Sequence, residues 1–496
     1  MISNLIIRRR RAASAMFALK RSSILLHEEA SLTRCICATS SSVVLDLQDI
    51  PTAKGVPFFG TVFAMLAKGG AEKLHEYVDF RHKQLGPIFR EKVGPVTSVF
   101  LCDPKDMRAV FSSEGKYPVH LLPEAWTFYN ETFNVERGIF FMDGEEWLQN
   151  RKILNKLLLK GNLDWIGSAC DEVCEDLVNR WSVMADNGQI IPDLETQLYR
   201  WSIDVMLSVI LGAKEYNSVK NDLNDIVNDL AANIYLIFKT SAKLQLVSAR
   251  FASKLGLSSW RNFAKAMDRS LQLTNTLMTR LIDNDRNSDG LLSRLKNENV
   301  NRTDILRILA DFIIAAGDTT AYTMEWLLYV VGSDKAVQKK VRSLQSTEEA
   351  SSYLRSVVKE SLRLYPVAPF ITRILTQGVT VKGFNIPAGT LVVFSIYTSG
   401  RDPHVFENPQ LFIPERWSRD SNNNNNLVSM QQSTLPFGFG SRSCIGKKVA
   451  EMQLQKTIGK IVHSFDMDVV NKDEIQMILK MVAVPSNHLR LRLIRL

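Results

Sequence analysis

The sequence predicts a mainly α chain (α+β), a large helical body carrying small β-sheets. Three observations predict it. Helical patterns dominate from about Pro51 onward; Arg302 to Val331 reads as one long helix, about 45 Å at the usual rise per residue; and β-like runs are short, at Ile88–Phe100 and Val379–Ile396. Taken in order, Pro51, Gly55, Pro57 and Gly60 punctuate the segment where the folded part is expected to begin. Residues Ala231–Trp260 mix Ile234, Leu236, Ile237 and Phe238 with Lys239, Lys243 and Arg250. They form either a patch that touches a membrane surface or a helix pair with one buried face, and the second reading is preferred. Pro387-Ala388-Gly389 is a turn signal between apolar runs. Ser421 to Asn426 is a polar, Asn-rich tract expected to be a solvated loop.

Of 496 residues, 45% are hydrophobic and 23% charged, ordinary proportions for a globular protein. Cys35, Cys37, Cys102, Cys170, Cys174 and Cys444 show no zinc-type spacing with histidines, and Cys170 and Cys174, one helical turn apart, are expected in the core. The chain reads as reduced and intracellular, without a disulfide framework. The net charge of +9 is uneven: residues 1–42 carry Arg8, Arg9, Arg10, Arg11, Lys20, Arg21 and Arg34 against Glu28 and Glu29. An Arg-rich, Ser-rich, acid-poor leader marks an organelle transit peptide, most simply mitochondrial; the alternative is a disordered basic tail. No run approaches the ~20 apolar residues of a membrane span, and no nucleic-acid partner is expected.

The stretch Phe437-Gly438-Phe439-Gly440-Ser441-Arg442-Ser443-Cys444-Ile445-Gly446 fits F-x-x-G-x-R-x-C-x-G at every specified position. Its physical reading is a haem-thiolate site. A Cys thiolate on haem iron pushes electron density onto the metal and favours O–O cleavage. Glycines on either side let the backbone lie close to a flat macrocycle, and the Arg442 guanidinium suits an acidic haem side group. The alternative is a buried structural cysteine in a Gly-rich turn. In the middle of the long helix stands Ala315-Ala316-Gly317-Asp318-Thr319-Thr320, an odd place for a Gly and two Thr, which are poor helix formers. A Thr hydroxyl there can turn back onto a preceding carbonyl and open a groove beside the helix; a helix kink with two incidental Thr is the alternative.

The Cys444 stretch resembles the haem-binding signature of the cytochrome P450 family, and the resemblance extends from about Pro51 to the C-terminus. It implies a transit peptide over residues 1–42 and a single cytochrome P450 haem domain over 43–496, with small sheets around a buried haem b whose axial ligand is Cys444. It also implies that Asp318 and Thr319 form the family's acid–alcohol pair, Thr319 holding dioxygen and its water while Asp318 relays protons. The chain departs from the commonest form by having Ala316 where a Gly often stands and its Gly at 317, which would narrow the groove slightly. Trp147 and Arg151 match W-x-x-x-R and, with Arg373 and Arg442, would hold the two haem propionates; Phe437 and Gly446 complete the cofactor-binding set. Glu360, Arg363 and Arg416 match a buried structural triad.

The resemblance admits a monooxygenase, a haem-thiolate isomerase or a non-catalytic haem sensor, and Asp318–Thr319 favours the monooxygenase, because only it delivers protons to dioxygen. Arg355 and Lys359 fall where mitochondrial members meet an acidic [2Fe–2S] ferredoxin, supplied in turn by its reductase. Lys447 and Lys448 oppose the macrodipole of the helix they begin, which suits the same partner; solvated lysines are the alternative. The expected substrate regions, Val119–Phe140, Phe312 and Ile313, Val367–Phe370 and Met481–Pro485, are apolar and suit a large lipophilic ligand. The helix and Cys motifs look most like those of the mitochondrial ecdysteroid 2-hydroxylases. That implies a steroid substrate, an ecdysteroid precursor; side-chain hydroxylation or a vitamin-D-like sterol are the neighbouring choices. The implied location is the mitochondrion, on the matrix side and peripheral on the inner membrane.

Overall fold

Among the described residues, eight helices of 15 residues or more carry the architecture: α1 Gly144–Leu158, α2 Asp164–Ala185, α3 Leu194–Leu211, α4 Asn224–Leu244, α5 Ser258–Asn284, α6 Arg302–Gly332, α7 Thr347–Leu364 and α8 Lys447–Ser464. This computed structural model describes residues 45–496 except Pro95, Asn187, Leu246, 285–287, 345–346 and 419–423, so the leader over 1–42 lies outside the described residues. Asp46–Leu496 forms one compact unit.

The long helix expected from the sequence is α6. Asn301 caps it, its side chain accepting from Asp304 N, and it is apolar nearly all round, as a central helix must be. It packs against α3, α4 and α5, while α8 packs against α2 and α7. Cys170 and Cys174 are buried at the α2–α8 contact, Cys174 Sγ lying 2.8 Å from Thr457 Oγ1.

Both β expectations hold. Ile88–Phe100 is the hairpin β1 (Ile88–Val93) and β2 (Val96–Leu101); the later run supplies β4 (Val379–Val381), β5 (Phe384–Ile386) and β6 (Leu391–Ser395). With β3 (Phe370–Ile374) they build a four-stranded sheet ordered β1-β2-β6-β3, in which only β2 and β6 are parallel, and the small β4-β5 pair. Strands β7 (Phe465–Val469) and β10 (Leu491–Arg495) pair, as do β8 (Met477–Lys480) and β9 (Val482–Pro485).

Residues 231–260 are chiefly helices packed on the core: Ile234, Ile237 and Phe238 are buried, and Lys239, Lys243 and Arg250 face out. The Asn-rich tract differs from its expectation. Residues 421–423 lie outside the described residues, but a helix begins at Asn424 and runs to Ser433. Its cause is downstream, where Leu427 and Met430, three residues apart, fold onto Phe406 and Trp417.

Candidate active site

Two walls of side chains converge on the Cys444 loop. On α1, Trp147 and Arg151 stand one turn apart and are both buried. Arg151 Nη2 reaches Ser443 Oγ at 3.4 Å, next to Cys444, and the guanidinium has no ion pair among the described residues. Burial lowers its pKa to about 10, which leaves it a cation at neutral pH. Arg442 lies over the Trp147 ring at 4.2 Å, donates from Nε to Pro118 O at 3.1 Å and pairs with Asp143.

Arg373, which the resemblance assigns to a haem propionate, also has protein partners. On β3 it is buried, pairs with Glu114 and donates to Thr372 O at 2.8 Å and Phe439 O at 3.4 Å. Burial raises the Glu114 pKa against the pull of Arg373 and Arg442. Sequence reading missed Glu114, and no spacing signal ties it to an arginine 259 residues away. It also missed His120, whose pKa is lowered to about 4 by burial, then by Arg442 and Arg373. Arg151 Nε, Arg442 Nη1, Glu114 Oε2 and His120 Nε2 are all buried without a hydrogen-bond partner.

The Cys loop closes on itself. Cys444 N donates to Phe437 O at 2.8 Å and Ser443 N to Gly440 O at 3.2 Å. Gly440 takes the left-handed φ of +78°, and a Cβ there would fall 2.8 Å from Glu114 Oε2, so both turn and packing require glycine. The Cys444 side chain is accessible yet deeply enclosed. Enclosure raises its thiol pKa, opposed by the Gly446 N–H, Arg151 and Lys447. A bound iron would override that preference, since a coordinating thiol is deprotonated outright.

Along the middle of α6, Ala315, Ala316 and Thr319 are the accessible positions among buried neighbours, a stripe on one helix face. Thr319 Oγ1 turns back onto Ala315 O at 2.8 Å. Gly317 has a separate task. A Cβ there would come within 3.0 Å of Ile234 Cγ2, and its carbonyl accepts from Ser202 Oγ at 3.0 Å. The glycine lets α3 and α4 close on α6, while Ala316 keeps its methyl on the accessible stripe. Asp318 is fully buried and turned towards α3, where the Tyr199 hydroxyl donates to Oδ1; burial raises its pKa to about 8. The structure thus places Asp318 and Thr319 on different faces.

The triad forms beneath. Glu360 accepts from Arg363 Nη2 at 2.7 Å and Nε at 2.9 Å, Arg416 Nε at 2.9 Å, Trp417 Nε1 at 2.8 Å and Ile413 N at 3.0 Å.

A family model described as Cytochrome P450 matches residues 50–493. The chain belongs to the cytochrome P450 family. It is 39% identical to the Drosophila melanogaster protein named Cytochrome P450 315a1, mitochondrial, over 90% of this chain and 88% of that one. It is 27% identical to the cholesterol side-chain cleavage enzyme, mitochondrial, of Oncorhynchus mykiss, over 92% and 91%. It is 25% identical to the mitochondrial 1,25-dihydroxyvitamin D(3) 24-hydroxylase of Rattus norvegicus, over 90% and 88%. Among solved structures, retinoic acid-bound cyanobacterial CYP120A1 superposes with a TM-score of 0.71 at 20% identity, covering 90% of this chain and 99% of that one, which shows the fold. This P450 is therefore a monooxygenase carrying haem iron on a thiolate. The residues fit that group: Arg151 is a buried cation without an anion, and it and Arg442 keep buried N–H donors that haem carboxylates can take.

Proposed function

We propose that this P450 is a mitochondrial, ferredoxin-dependent monooxygenase that hydroxylates a steroid, an ecdysteroid precursor, at the 2-position, with Cys444 as the axial ligand of haem b. The observation that carries the site is the unpaired, buried Arg151 beside the Cys444 loop. A haem held there would supply reductive cleavage of dioxygen, in which two electrons and two protons put one oxygen atom into a substrate C–H bond and the other into water. Arg151 and Arg442 bind the haem carboxylates, Trp147 supports Arg442, and Phe437 and Gly446 flank the ligand. Arg373 joins them at the haem carboxylates while pairing with Glu114 and Phe439 O. Thr319 holds an ordered water on the accessible stripe, and Asp318 stores the proton.

The substrate class rests on the resemblance of the helix and Cys motifs to ecdysteroid 2-hydroxylases and on relatives whose names specify cholesterol and vitamin D substrates. It is consistent with the apolar segments expected to line the pocket, two of which are joined by Ala483 N donating to Val367 O at 2.9 Å, while Trp326 of α6 donates to Ala483 O at 2.9 Å.

An acidic ferredoxin is supported by exposed Arg355 and Lys359 on α7, which packs against α8, where Lys447 and Lys448 flank Glu451. The basic leader and the mitochondrial names of the relatives support the compartment. No helix among the described residues is long and apolar enough to cross a membrane. A surface contact with lipid is supported by two exposed apolar groups, Phe58, Phe59, Phe63 and Leu66, and Phe251, Leu255 and Leu257. The β8-β9 hairpin links their neighbourhoods: Lys73 reaches Met477 O at 3.1 Å, and Gln245 contacts Met481.

The test is incubation of the enzyme, reconstituted with ferredoxin and its reductase, with 2-deoxyecdysone. Product carrying a 2-hydroxyl supports the proposal. Hydroxylation elsewhere keeps the steroid class and moves the position. Turnover without an electron donor, or of a non-steroid alone, overturns it.

A further inference from the structure

A buried ion pair joins the loop ahead of α1 to α6. The loop follows the helix Glu124–Phe133, and its Arg137 meets Asp311 of α6, the two side chains 2% and 6% exposed. Asp311 Oδ1 accepts from Arg137 Nε at 2.7 Å and lies 2.5 Å from Nη2, while Oδ2 accepts from Gly138 N at 2.7 Å. A Cβ at Gly138 would fall 2.6 Å from Arg307 O, so the loop lies directly on the α6 backbone. The Arg137 guanidinium stands 4.8 Å from the Phe141 ring centre and 5.4 Å from that of Trp126, and its Nη1 contacts Met267 Sδ of α5 at 3.6 Å. Trp126 in turn donates to Ser241 Oγ of α4 at 2.9 Å.

Asp311, Ala315 and Thr319 are spaced by four, so Asp311 stands one turn ahead of the accessible stripe, in the same row. Beyond Gly138 the loop carries Ile139, Phe140 and Phe141, and it turns back through Phe141 N and Met142 N, which donate to Gly138 O at 2.9 and 3.1 Å. Phe140 is exposed, and its ring lies 4.8 Å from that of His120, the group whose pKa Arg442 and Arg373 help to lower. The loop therefore bridges α6 and the side chains assigned to the haem carboxylates. Neither packing nor backbone satisfaction asks for two charges here. An asparagine at 311 would serve Gly138 N, a methionine at 137 would pack against the rings, and a buried ion pair adds little stability over well-packed apolar neighbours. What the pair adds is geometry: a planar guanidinium locked to a carboxylate holds the loop in one position.

We propose that Arg137 and Asp311 form a specificity clamp: by fixing Ile139, Phe140 and Phe141 against α6, they set the pocket wall and so decide which part of a lipophilic substrate approaches the haem. This rests on the reading of Val119–Phe140 and of Phe312 and Ile313 as substrate-contact segments; Arg137 lies within the first, and Asp311 directly precedes the second. Both are positioning residues, occupied by each other and by Gly138 N. A cavity of about 360 Å³ adjoins the pair, lined among others by Glu136, Arg137, Asn275, Arg307 and Asp311. Once the pair is broken, the loop has space to shift into, so the wall loosens without the fold having to open.

Three variants test it in the haem-loaded protein. Asp311→Asn keeps an acceptor for Gly138 N but strands the Arg137 charge; Arg137→Lys keeps the charge and loses the planar fork; Arg137→Met with Asp311→Asn removes both charges, so no buried ion is left unpaired. The readout is spectral titration of the ferric protein with imidazole and with clotrimazole, whose ring nitrogens both ligate iron. Imidazole is too small to feel the loop, whereas clotrimazole must fit against it. The ratio of clotrimazole to imidazole affinity should fall roughly tenfold in all three variants, the scale of a small misfit in an apolar pocket, with imidazole affinity unchanged. The urea midpoint should drop in Asp311→Asn and recover in the double variant while the ratio stays low. A ratio that matches wild type in the folded variants, or that recovers together with stability in the double variant, overturns the clamp. With whichever steroid the wild type hydroxylates, the variants should spread product over more than one position; a single unchanged position also overturns it. A wild type that oxidises no steroid defeats the substrate reading instead, and the azole ratio then decides the clamp by itself.

Discussion

Replacing Glu360 by Gln should destabilise the protein by about 4 kcal/mol, and the figure follows from its bonds. Oε1 accepts from Arg363 Nη2 at 2.7 Å, Arg416 Nε at 2.9 Å and Ile413 N at 3.0 Å; Oε2 accepts from Arg363 Nε at 2.9 Å and Trp417 Nε1 at 2.8 Å. Glutamine keeps one acceptor oxygen and turns an NH₂ towards the donors on the other side. At least two donors lose their partner, at roughly 1.5–3 kcal/mol for each bond to a charged group. The same loss, read as a buried ion pair deprived of one charged partner, is usually about 3–5 kcal/mol, and the two ranges overlap and are not added. The assay is urea unfolding followed by tryptophan fluorescence, with the slope converting midpoints to free energy. The triad pins Ile413–Trp417 to α7, and the chain runs on from there to the Cys loop, so haem retention should fall in parallel. A variant within about 1 kcal/mol of wild type, with its thiolate-haem spectrum intact, would refute this reasoning.

Thr319→Ala should keep haem and substrate binding but lose coupling, with reducing equivalents appearing as peroxide; the ratio of product to peroxide measures it. Reversing charge at Arg355 and Lys359 together should weaken ferredoxin-driven turnover and flatten its salt dependence, while peroxide-driven activity survives. Glu325 has its pKa raised from 4.5 to about 8 by burial and then by Glu195, so the stability held by its neutral form is complete below the unfolded value and is lost as pH rises through about 8. Glu325→Gln, always neutral, should therefore lose less stability than wild type between about pH 5 and about pH 9, read from denaturation midpoints.

Local patterns carried most of the fold. Arg302 to Val331 read as one long helix, which is α6, and short β-like runs with Pro387-Ala388-Gly389 as a turn between apolar runs marked the sheets. Trp147, Arg151, Arg442 and Cys444 were legible because their spacing is local and their chemistry specific. The rest depends on partners distant in the chain. Nothing in the sequence says that Asp318 meets Tyr199, 119 residues away, or that Arg373 meets Glu114. Gly317 read as a displaced groove residue, whereas the contact that needs it is with Ile234. The helix at Asn424 was hidden because its cause is burial of Leu427 and Met430, not the asparagines.

Cys444 is proposed as the thiolate that holds the haem iron, and the spectrum of the reduced, carbon-monoxide-bound protein tests that role most directly. Wild type should show the red-shifted Soret band of a thiolate-ligated haem, and Cys444→Ser should lack it, because a serine hydroxyl cannot replace the anionic sulfur. A Cys444→Ser protein that keeps the red-shifted band would contradict the assignment.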